Sequence, residues 1–238
     1  MLDERKITLV QYMVECYIAS AQPVASIMLV RKYQLSYSPA TVRNEFASLE
    51  DEGYVRQPHA SSGRIPTERA YQLYLEQVQP KRIPRSVAQR LESAWARQTS
   101  HQFDRYCQLG RVLSDEAEEF VFVSLQTGEL SCTGFAYLSQ KPEFLDQKFA
   151  SVVTEAIDHL HELVERLYTA ATGEAQILIG RNDVFSGACG SIFSTFDLED
   201  NSRGMIGIIG PMRMNYGYNI GLIKTACELV STSSANNL

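Results

Sequence analysis

One stretch near the start of the chain, YSPATVRNEFASLEDEGYVRQPHASSGRIPTERAY, constrains local structure more tightly than any other. Ser38 and Pro39 are typical of a helix start, because a serine hydroxyl accepts from free backbone N–H groups and proline suits the first helical position. The apolar residues that follow recur at helical spacing and are Val42, Phe46 and Leu49. This pattern predicts a helix with one apolar stripe, which Gly53 ends.

The start and the outer face of this predicted helix carry only small or polar side chains. They are Ser38, Ala40, Thr41, Arg43, Asn44 and Ser48. A face without large apolar groups can approach the floor of the DNA major groove, where Asn pairs with adenine and Arg with guanine. We therefore expect this to be a recognition helix that reads bases through Thr41, Arg43 and Asn44.

A basic hairpin is predicted directly after this helix. Tyr54–Pro58 and Ile65–Thr67 read as two short strands around a Ser- and Gly-rich turn. The candidate contacts to the DNA backbone lie in this hairpin and at the end of a preceding helix, Val24–Tyr33. They are Arg31, Lys32, Arg56, His59, Ser61, Ser62 and Arg64. Helix, turn, helix and hairpin together predict a winged helix-turn-helix, the alternative being a small helical domain with a surface loop.

Residues 1–75 resemble the N-terminal domain of the heat-inducible transcription repressor family, HrcA. The resemblance is carried by SPATVRNEFASLEDEGYVRQPHASSGRIPT, and its wing sequence HASSGRIPT is the most specific part. It implies a dimeric repressor that binds an inverted-repeat operator in double-stranded DNA ahead of chaperone genes and is released under stress. It also implies that a GroE-type chaperonin maintains the repressor's activity.

The 238-residue chain is long enough for two domains. We predict a DNA-binding domain over 1–78, a Pro-rich linker over 79–85 and a second domain over 86–238 with a frayed tail at 231–238. The net charge is −6, yet residues 1–70 hold eight Lys and Arg against eight Asp and Glu. All of the net negative charge therefore belongs to the rest of the chain, and the first domain must act through the placement of its cations.

The second domain is predicted to combine strands with helices. The expected helices are Ser86–Asp115, with a break possible near Gln98–Gln102, then Phe144–Tyr168 and Tyr216–Val230. The expected strands are Phe120–Leu125, Gly134–Leu138, Ala175–Ile179, Ser191–Phe196 and Met205–Ile209. This is an α+β pattern. The predicted fold is therefore a winged helix-turn-helix followed by a domain of strands and helices.

The family resemblance makes this second domain a GAF-like α/β domain for regulation and dimerisation. The segments LSQKPEF and GMIGIIGPMRMNY resemble family segments. The usual family member is longer, with a dimerisation domain inserted in the GAF-like fold, and here the first strand pair runs straight into LSQKPEF. A homodimer of this chain would therefore use its long helices.

Several other classes of protein are disfavoured by the sequence. No apolar run reaches the roughly 20 residues of a membrane span, no signal core follows the charged start, and the five cysteines form no CxxC pair. These features predict a cytoplasmic protein with reduced thiols, no metal and no membrane. No catalytic motif is present, since the HELVE segment has Glu where a zinc-binding HExxH needs its second His. We expect no enzyme, and no cofactor because the Gly-rich segments match no phosphate loop.

Two alternatives to a chaperone-gene repressor remain open at this level. One is a winged-helix transcription factor whose C-terminal domain senses a small molecule, which ligand stabilisation in a thermal melt would favour. The other is a winged helix used only to bind proteins, which a lack of salt-dependent DNA binding would favour.

Overall fold

A computed structural model of the chain describes residues 2–60, 62–183, 187, 189–198 and 202–235, with the backbone alone described for 232–235. The chain divides into two compact units, Met1–Val78 and Gln79–Leu238. Helices are combined with an antiparallel sheet, which confirms the predicted α+β class. The narrower GAF-like assignment stays a prediction.

The first unit contains four helices and a two-stranded hairpin within the described residues. In chain order they are α1 (Glu4–Ser20), α2 (Ser26–Lys32), α3 (Pro39–Asp51), β1 (Val55–Arg56), β2 (Ile65–Pro66) and α4 (Glu68–Leu75). Its core forms where α1 turns Leu9, Val10, Met13 and Val14 inward and α3 buries its apolar stripe. The Asp3 carboxylate caps α1 by accepting from the backbone N–H of Lys6 at 2.8 Å.

The second unit is built on a five-stranded sheet. Its elements are α5 (Arg85–Trp95), α6 (Gln102–Ala117), β3 (Phe120–Leu125), β4 (Leu130–Thr133), α7 (Phe135–Ser139), α8 (Gln147–Asp158), α9 (Leu160–Ala170), β5 (Gln176–Ile179), β6 (Cys189–Asp197), β7 (Arg203–Pro211) and α10 (Tyr216–Ala235), with 3₁₀ turns at Pro142–Leu145 and Gly180–Asn182. The strand order is β4-β3-β7-β6-β5, and neighbouring strands are antiparallel.

Helices cover this sheet on both faces, which explains why β3, β6 and β7 are buried along almost their whole length rather than at alternate residues. Phe120 and Phe122 of β3 join a buried cluster with residues of α8 and α9. On the other face, α6 packs so closely on β3 that a Cβ at Gly110 would lie 3.0 Å from the Val123 side chain. α10 packs on β6 and β7.

The strand predicted at Gly134–Leu138 is wrong, because most of this segment forms α7 and the strand that pairs with β3 comes earlier, at β4. Gly134 has a φ of +90°, and a Cβ there would overlap the Ser114 hydroxyl and the Glu119 carbonyl oxygen. The chain therefore turns away from the sheet at this glycine, and aromatic residues that favour strands continue as a helix with Leu138 buried.

The two long helices predicted for this unit are each divided. The first separates into α5 and α6, with the break in the weakly apolar region where the sequence allowed one. The second separates into α8 and α9 at His159, whose backbone leaves helical geometry at φ −100° and ψ 19°.

A buried network of charged groups lies where β3 begins. Glu119 is only 4% exposed, and one of its carboxylate oxygens accepts from the Lys141 ammonium at 3.0 Å. Close by, Arg213 donates to both carboxylate oxygens of Glu143, at 2.5 and 3.0 Å. Burial raises the pKa of Glu119 to about 7, although the neighbouring Lys141 acts in the opposite direction.

We expect the unfolding free energy of the second unit to decrease as pH rises from about 4.5 to 8, where folded Glu119 binds more protons than the unfolded carboxyl does. A pKa difference of this size corresponds to roughly 3 kcal/mol. The variant Glu119→Gln lacks this titration. Its free energy of unfolding should therefore change less with pH than that of the unchanged protein, by about the same amount. Urea unfolding followed by fluorescence of Trp95, the single tryptophan, at pH 5 and pH 8 measures the difference. Identical pH dependence in both proteins would contradict it.

Candidate nucleic-acid interface

The outer face of α3 is small, polar and exposed, as the sequence predicts. Val42, Phe46 and Leu49 are at most 3% exposed and fix the helix against the core of the first unit. On the opposite side Ala40, Arg43, Asn44 and Ala47 are exposed, and Thr41 is half-buried. An amide and a guanidinium thus stand on a face that has no bulky apolar group.

The start of α3 is organised by the predicted cap. The Ser38 hydroxyl accepts from the backbone N–H of Thr41 at 3.1 Å, and the two hydroxyl oxygens lie 2.9 Å apart. Both side chains are therefore held in place at the beginning of the helix. The cap satisfies one of the N–H groups that a helix start leaves unpaired.

Ser48 does not belong to the exposed face, in contrast to the prediction. It is half-buried, accepts from the Lys6 ammonium at 2.8 Å and donates to a Glu52 carboxylate oxygen at 3.2 Å. Lys6 and Glu52 also form an ion pair at 2.5 Å. Ser48 thus helps to join α1 to the end of α3.

The hairpin loop after β1 is closed by its own side chains. The amide of Gln57 donates to the carbonyl oxygens of Ala60 and Ser62 at 2.9 and 3.1 Å. The Ser62 hydroxyl donates to the His59 carbonyl oxygen at 2.7 Å and accepts from the His59 backbone N–H at 3.1 Å. Ser62 therefore shapes the loop, while the His59 ring is exposed. The predicted contact residue Ser61 lies outside the described residues.

Arg64 also differs from its predicted role as a free phosphate ligand. Its side chain is 16% exposed, and its guanidinium donates to the Glu50 carboxylate at 2.9 Å. Its backbone pairs with that of Val24 through two hydrogen bonds of 2.7 and 2.9 Å. At the neighbouring Gly63 a Cβ would overlap the Val24 carbonyl oxygen, so only glycine allows this approach. Arg64 anchors the hairpin to the helices.

Glu50 is the residue that connects α3 to the hairpin. One carboxylate oxygen accepts from the backbone N–H of Gln57 at 2.7 Å, and the other takes the ion pair with Arg64. The sequence offered a signal for this role. Acidic residues are unfavourable at a helix C-terminus, yet α3 ends in Glu50, Asp51 and Glu52, and two of these three have cationic partners elsewhere in the unit.

Four guanidinium groups on the first unit have no carboxylate within ion-pair distance in the part of the chain that the structure describes. They belong to Arg31, Arg43, Arg56 and Arg69, which are all exposed. The Arg69 guanidinium donates instead to the Glu52 carbonyl oxygen at 2.7 Å and lies over the ring of Tyr54. The exposed Lys32 lies over the ring of Tyr33, and its ammonium is 3.5 Å from the Cys16 sulfur. Residues 1–78 hold nine Asp and Glu against eight Lys and Arg. The unit still presents cations to the solvent, because Arg5, Lys6 and Arg64 pair with three of its acidic groups.

The structure brings Arg43 of α3 next to the hairpin. Arg43, Gln57, Ser62 and Arg64 line one cleft of about 360 Å³, which the start of α2 closes on its other side. One base-reading candidate, Arg43, thus lies beside the hairpin residues Ser62 and Arg64. No group of three His, Cys, Asp or Glu side chains among the described residues is placed to hold a metal ion. No described helix combines the length and apolar character needed to cross a bilayer.

Comparisons with known proteins identify relatives of this chain. The family model described as HrcA protein C terminal domain matches residues 52–220, more than two thirds of the chain. The heat-inducible transcription repressor HrcA of Acidothermus cellulolyticus is 48% identical over 90 residues, which are 38% of this chain and 26% of the relative. The protein of the same name from Symbiobacterium thermophilum is 48% identical over 82 residues, 34% of this chain and 24% of the relative. Each match spans about a quarter of the relative's length.

One solved structure is similar over its full length. It is the crystal structure of a hypothetical protein at 2.2 Å resolution, with a TM-score of 0.75 and 14% identity, and the alignment covers 100% of both chains. At this identity the likeness concerns the fold alone.

Replacing Glu50 should release the hairpin from α3. We expect Glu50→Ala to lower the unfolding free energy of the first unit by about 1–3 kcal/mol, because a mostly buried Arg64 loses its partner and the Gln57 N–H loses its acceptor. Hydrogen exchange at the Gln57 amide should also become faster. The matched control is Asp51→Ala, which removes the same charge from the neighbouring exposed position. Equal effects of the two substitutions on amide exchange would contradict this role.

Proposed function

We propose that this chain, which belongs to the HrcA family, is a sequence-specific transcription repressor of heat-shock (chaperone) genes. The matching relatives are named heat-inducible transcription repressors, and their name supports the regulatory part of the proposal. The observation that carries the DNA-binding part is the exposed polar face of α3, held in one surface with a cationic hairpin. The first unit, Met1–Val78, is proposed as the DNA-binding domain.

In this proposal the first unit is a winged helix-turn-helix. α2 and α3 correspond to its two helices, and the hairpin formed by β1 and β2 corresponds to the wing. The α3 face would enter the major groove, where Asn44 and Arg43 would hydrogen-bond to base edges. Ala40 and Thr41 would allow close approach near the helix start. The cap at Ser38 supports this geometry by fixing how α3 begins.

The backbone contacts are assigned to exposed cations that have no carboxylate partner among the described residues. Arg31, Lys32 and Arg56 are exposed and would bind phosphate oxygens, as would the exposed imidazole of His59 and, as the sequence predicts, Ser61. Ser62 and Arg64 have a different role in this proposal. They would position the wing through Glu50 and the loop hydrogen bonds, rather than bind DNA directly.

The second unit is proposed to supply regulation and dimerisation. A single winged helix reads one half-site, so an inverted-repeat operator calls for a homodimer. The resemblance to the family supports a GroE-type chaperonin as the partner that maintains the active dimer, with release from DNA under stress. Both partners can be tested by sedimentation of the free protein and by DNA binding with and without the chaperonin.

The function is tested by fluorescence anisotropy on a labelled inverted-repeat duplex and on a scrambled duplex across a salt series. A repressor should prefer the repeat at every salt concentration, and its affinity for both duplexes should fall as salt rises, because bound phosphates release counterions. Equal and weak binding to the two duplexes would overturn the proposal.

Asn44→Ala is expected to lower affinity for the cognate duplex by about 1–3 kcal/mol and to relax the preference at the contacted base pair. The exposed Asn44 amide has no packing role in the first unit, so the protein should remain as stable as before. Titration of duplexes that carry each base pair at the affected position measures the effect. An unchanged preference would exclude Asn44 as a base-reading residue.

Arg56→Ala serves as the matched control with a different expected signature. It removes an exposed cation from β1, so binding to cognate and scrambled duplexes should weaken alike. The slope of log affinity against log salt should decrease by about one.

A further inference from the structure

A second group of cations lies in the unit Gln79–Leu238. The segment before α5, predicted as a linker, packs on α10. The backbone N–H of Lys81 donates to the Gly217 carbonyl oxygen at 2.8 Å. A Cβ at Gly221 would overlap the Lys81 carbonyl oxygen, so this glycine lets the two backbones approach. Ile83 is 9% exposed and fixes the segment against the unit.

A cleft of about 680 Å³ opens between this segment, the start of α5 and α10. Four cationic residues line it, namely Lys81, Arg82, Arg85 and Lys224. All four are exposed, and none has an ion-pair partner among the residues that the structure describes. The lining contains a single acidic residue, Glu228. This concentration of positive charge occurs in a unit in which 19 Asp and Glu outnumber 14 Lys and Arg.

This arrangement favours an anion. Four like charges around one concave surface repel each other, and low-dielectric walls focus their field into the cleft. Arg85 is also the first residue of α5, an 11-residue helix that has no side-chain cap. A cation at a helix N-terminus opposes the helix dipole, whereas an anion there complements both the dipole and the guanidinium.

The chemistry of the lining selects phosphate groups. Guanidinium groups bind phosphate oxygens in pairs, and ammonium groups add point charges. The cleft has the volume of a small-molecule site, and Ile83 and Ala88 give it an apolar wall. Glu228 would repel a DNA backbone but can accept from a hydroxyl or amino group. We propose that this cleft binds a small molecule of the nucleotide class that carries two or more phosphates.

Nucleotide binding to this cleft is independent of the proposed DNA-binding function and can be measured without DNA. Isothermal titration of the full chain with ADP and with pyrophosphate, at constant ionic strength, should give saturable binding of one molecule per chain. Sulfate at the same ionic strength should not compete. The double variant Arg85→Gln/Lys224→Gln should bind ADP about tenfold more weakly or worse, since charge-assisted hydrogen bonds to phosphate are lost.

The matched control is Lys148→Gln/Arg166→Gln, which removes two exposed cations from α8 and α9 outside the cleft. It should bind ADP as the unchanged protein does, and circular dichroism verifies that both variants are folded. Absence of saturable binding to the unchanged protein, or equal losses in the two double variants, would overturn the proposal. Loss of duplex binding alone in Arg85→Gln/Lys224→Gln would assign the cleft to DNA phosphates and would overturn it too. The preference of the unchanged protein for the inverted repeat is measured separately.

Discussion

The candidate DNA-binding surface depends on the hydrogen bond and the ion pair that the Glu50 carboxylate accepts. This carboxylate accepts a backbone N–H from the start of the hairpin loop and a guanidinium from its end. Both ends of the loop are thereby bound to one residue of α3. A two-stranded hairpin is marginal by itself in water, and β1 and β2 contain two residues each. The position of the hairpin beside α3 therefore comes from this polar bridge, from the Val24–Arg64 backbone pair and from the burial of Val55 and Ile65.

The same bridge helps to explain how a unit with one more acidic than basic residue can present a cationic surface. Pairing inside the unit is selective, since Arg5, Lys6 and Arg64 neutralise Glu45, Glu52 and Glu50 respectively. The cations without a carboxylate partner in the described part of the unit are on α2, on the outer face of α3, on β1 and on α4. Net charge is thus a poor guide to a nucleic-acid-binding surface, because affinity for phosphates depends on which cations are unpaired and where they lie.

Sequence reasoning succeeded where the determining interactions are local. The cap at Ser38, the apolar stripe of α3 and the strand Phe120–Leu125 depend on neighbours within a few residues, and all three are present. It failed where the partner is distant in sequence. Ser48 and Arg64 were read as free polar groups, because nothing adjacent to them reveals Lys6 or Glu50.

The wrong strand prediction at Gly134–Leu138 has the same origin. The chain turns away from the sheet at Gly134 because Ser114 and Glu119 lie against it. The positions of these two residues follow only from the packing of α6 on the sheet. A local propensity for strand could not compete with that constraint. The roles of the exposed residues in binding DNA are a different matter, because exposure shows that a side chain is available and not what it binds.

The glycines of β7 show how packing across the sheet can resemble a ligand-binding motif in sequence. Gly204 and Gly207 lie opposite Phe196 and Phe122 in the strand register, and a Cβ at either position would overlap the facing aromatic ring. The two glycines differ by three residues, so they lie on opposite faces of the strand. One aromatic ring therefore crosses β7 on each side of the sheet.

A phosphate loop would need its glycines in a turn whose N–H groups are free, whereas the glycines of β7 belong to paired strands. The spacing of these glycines follows from the two rings, and the anion-binding chemistry of this unit has to be sought at the cationic cleft beside α10.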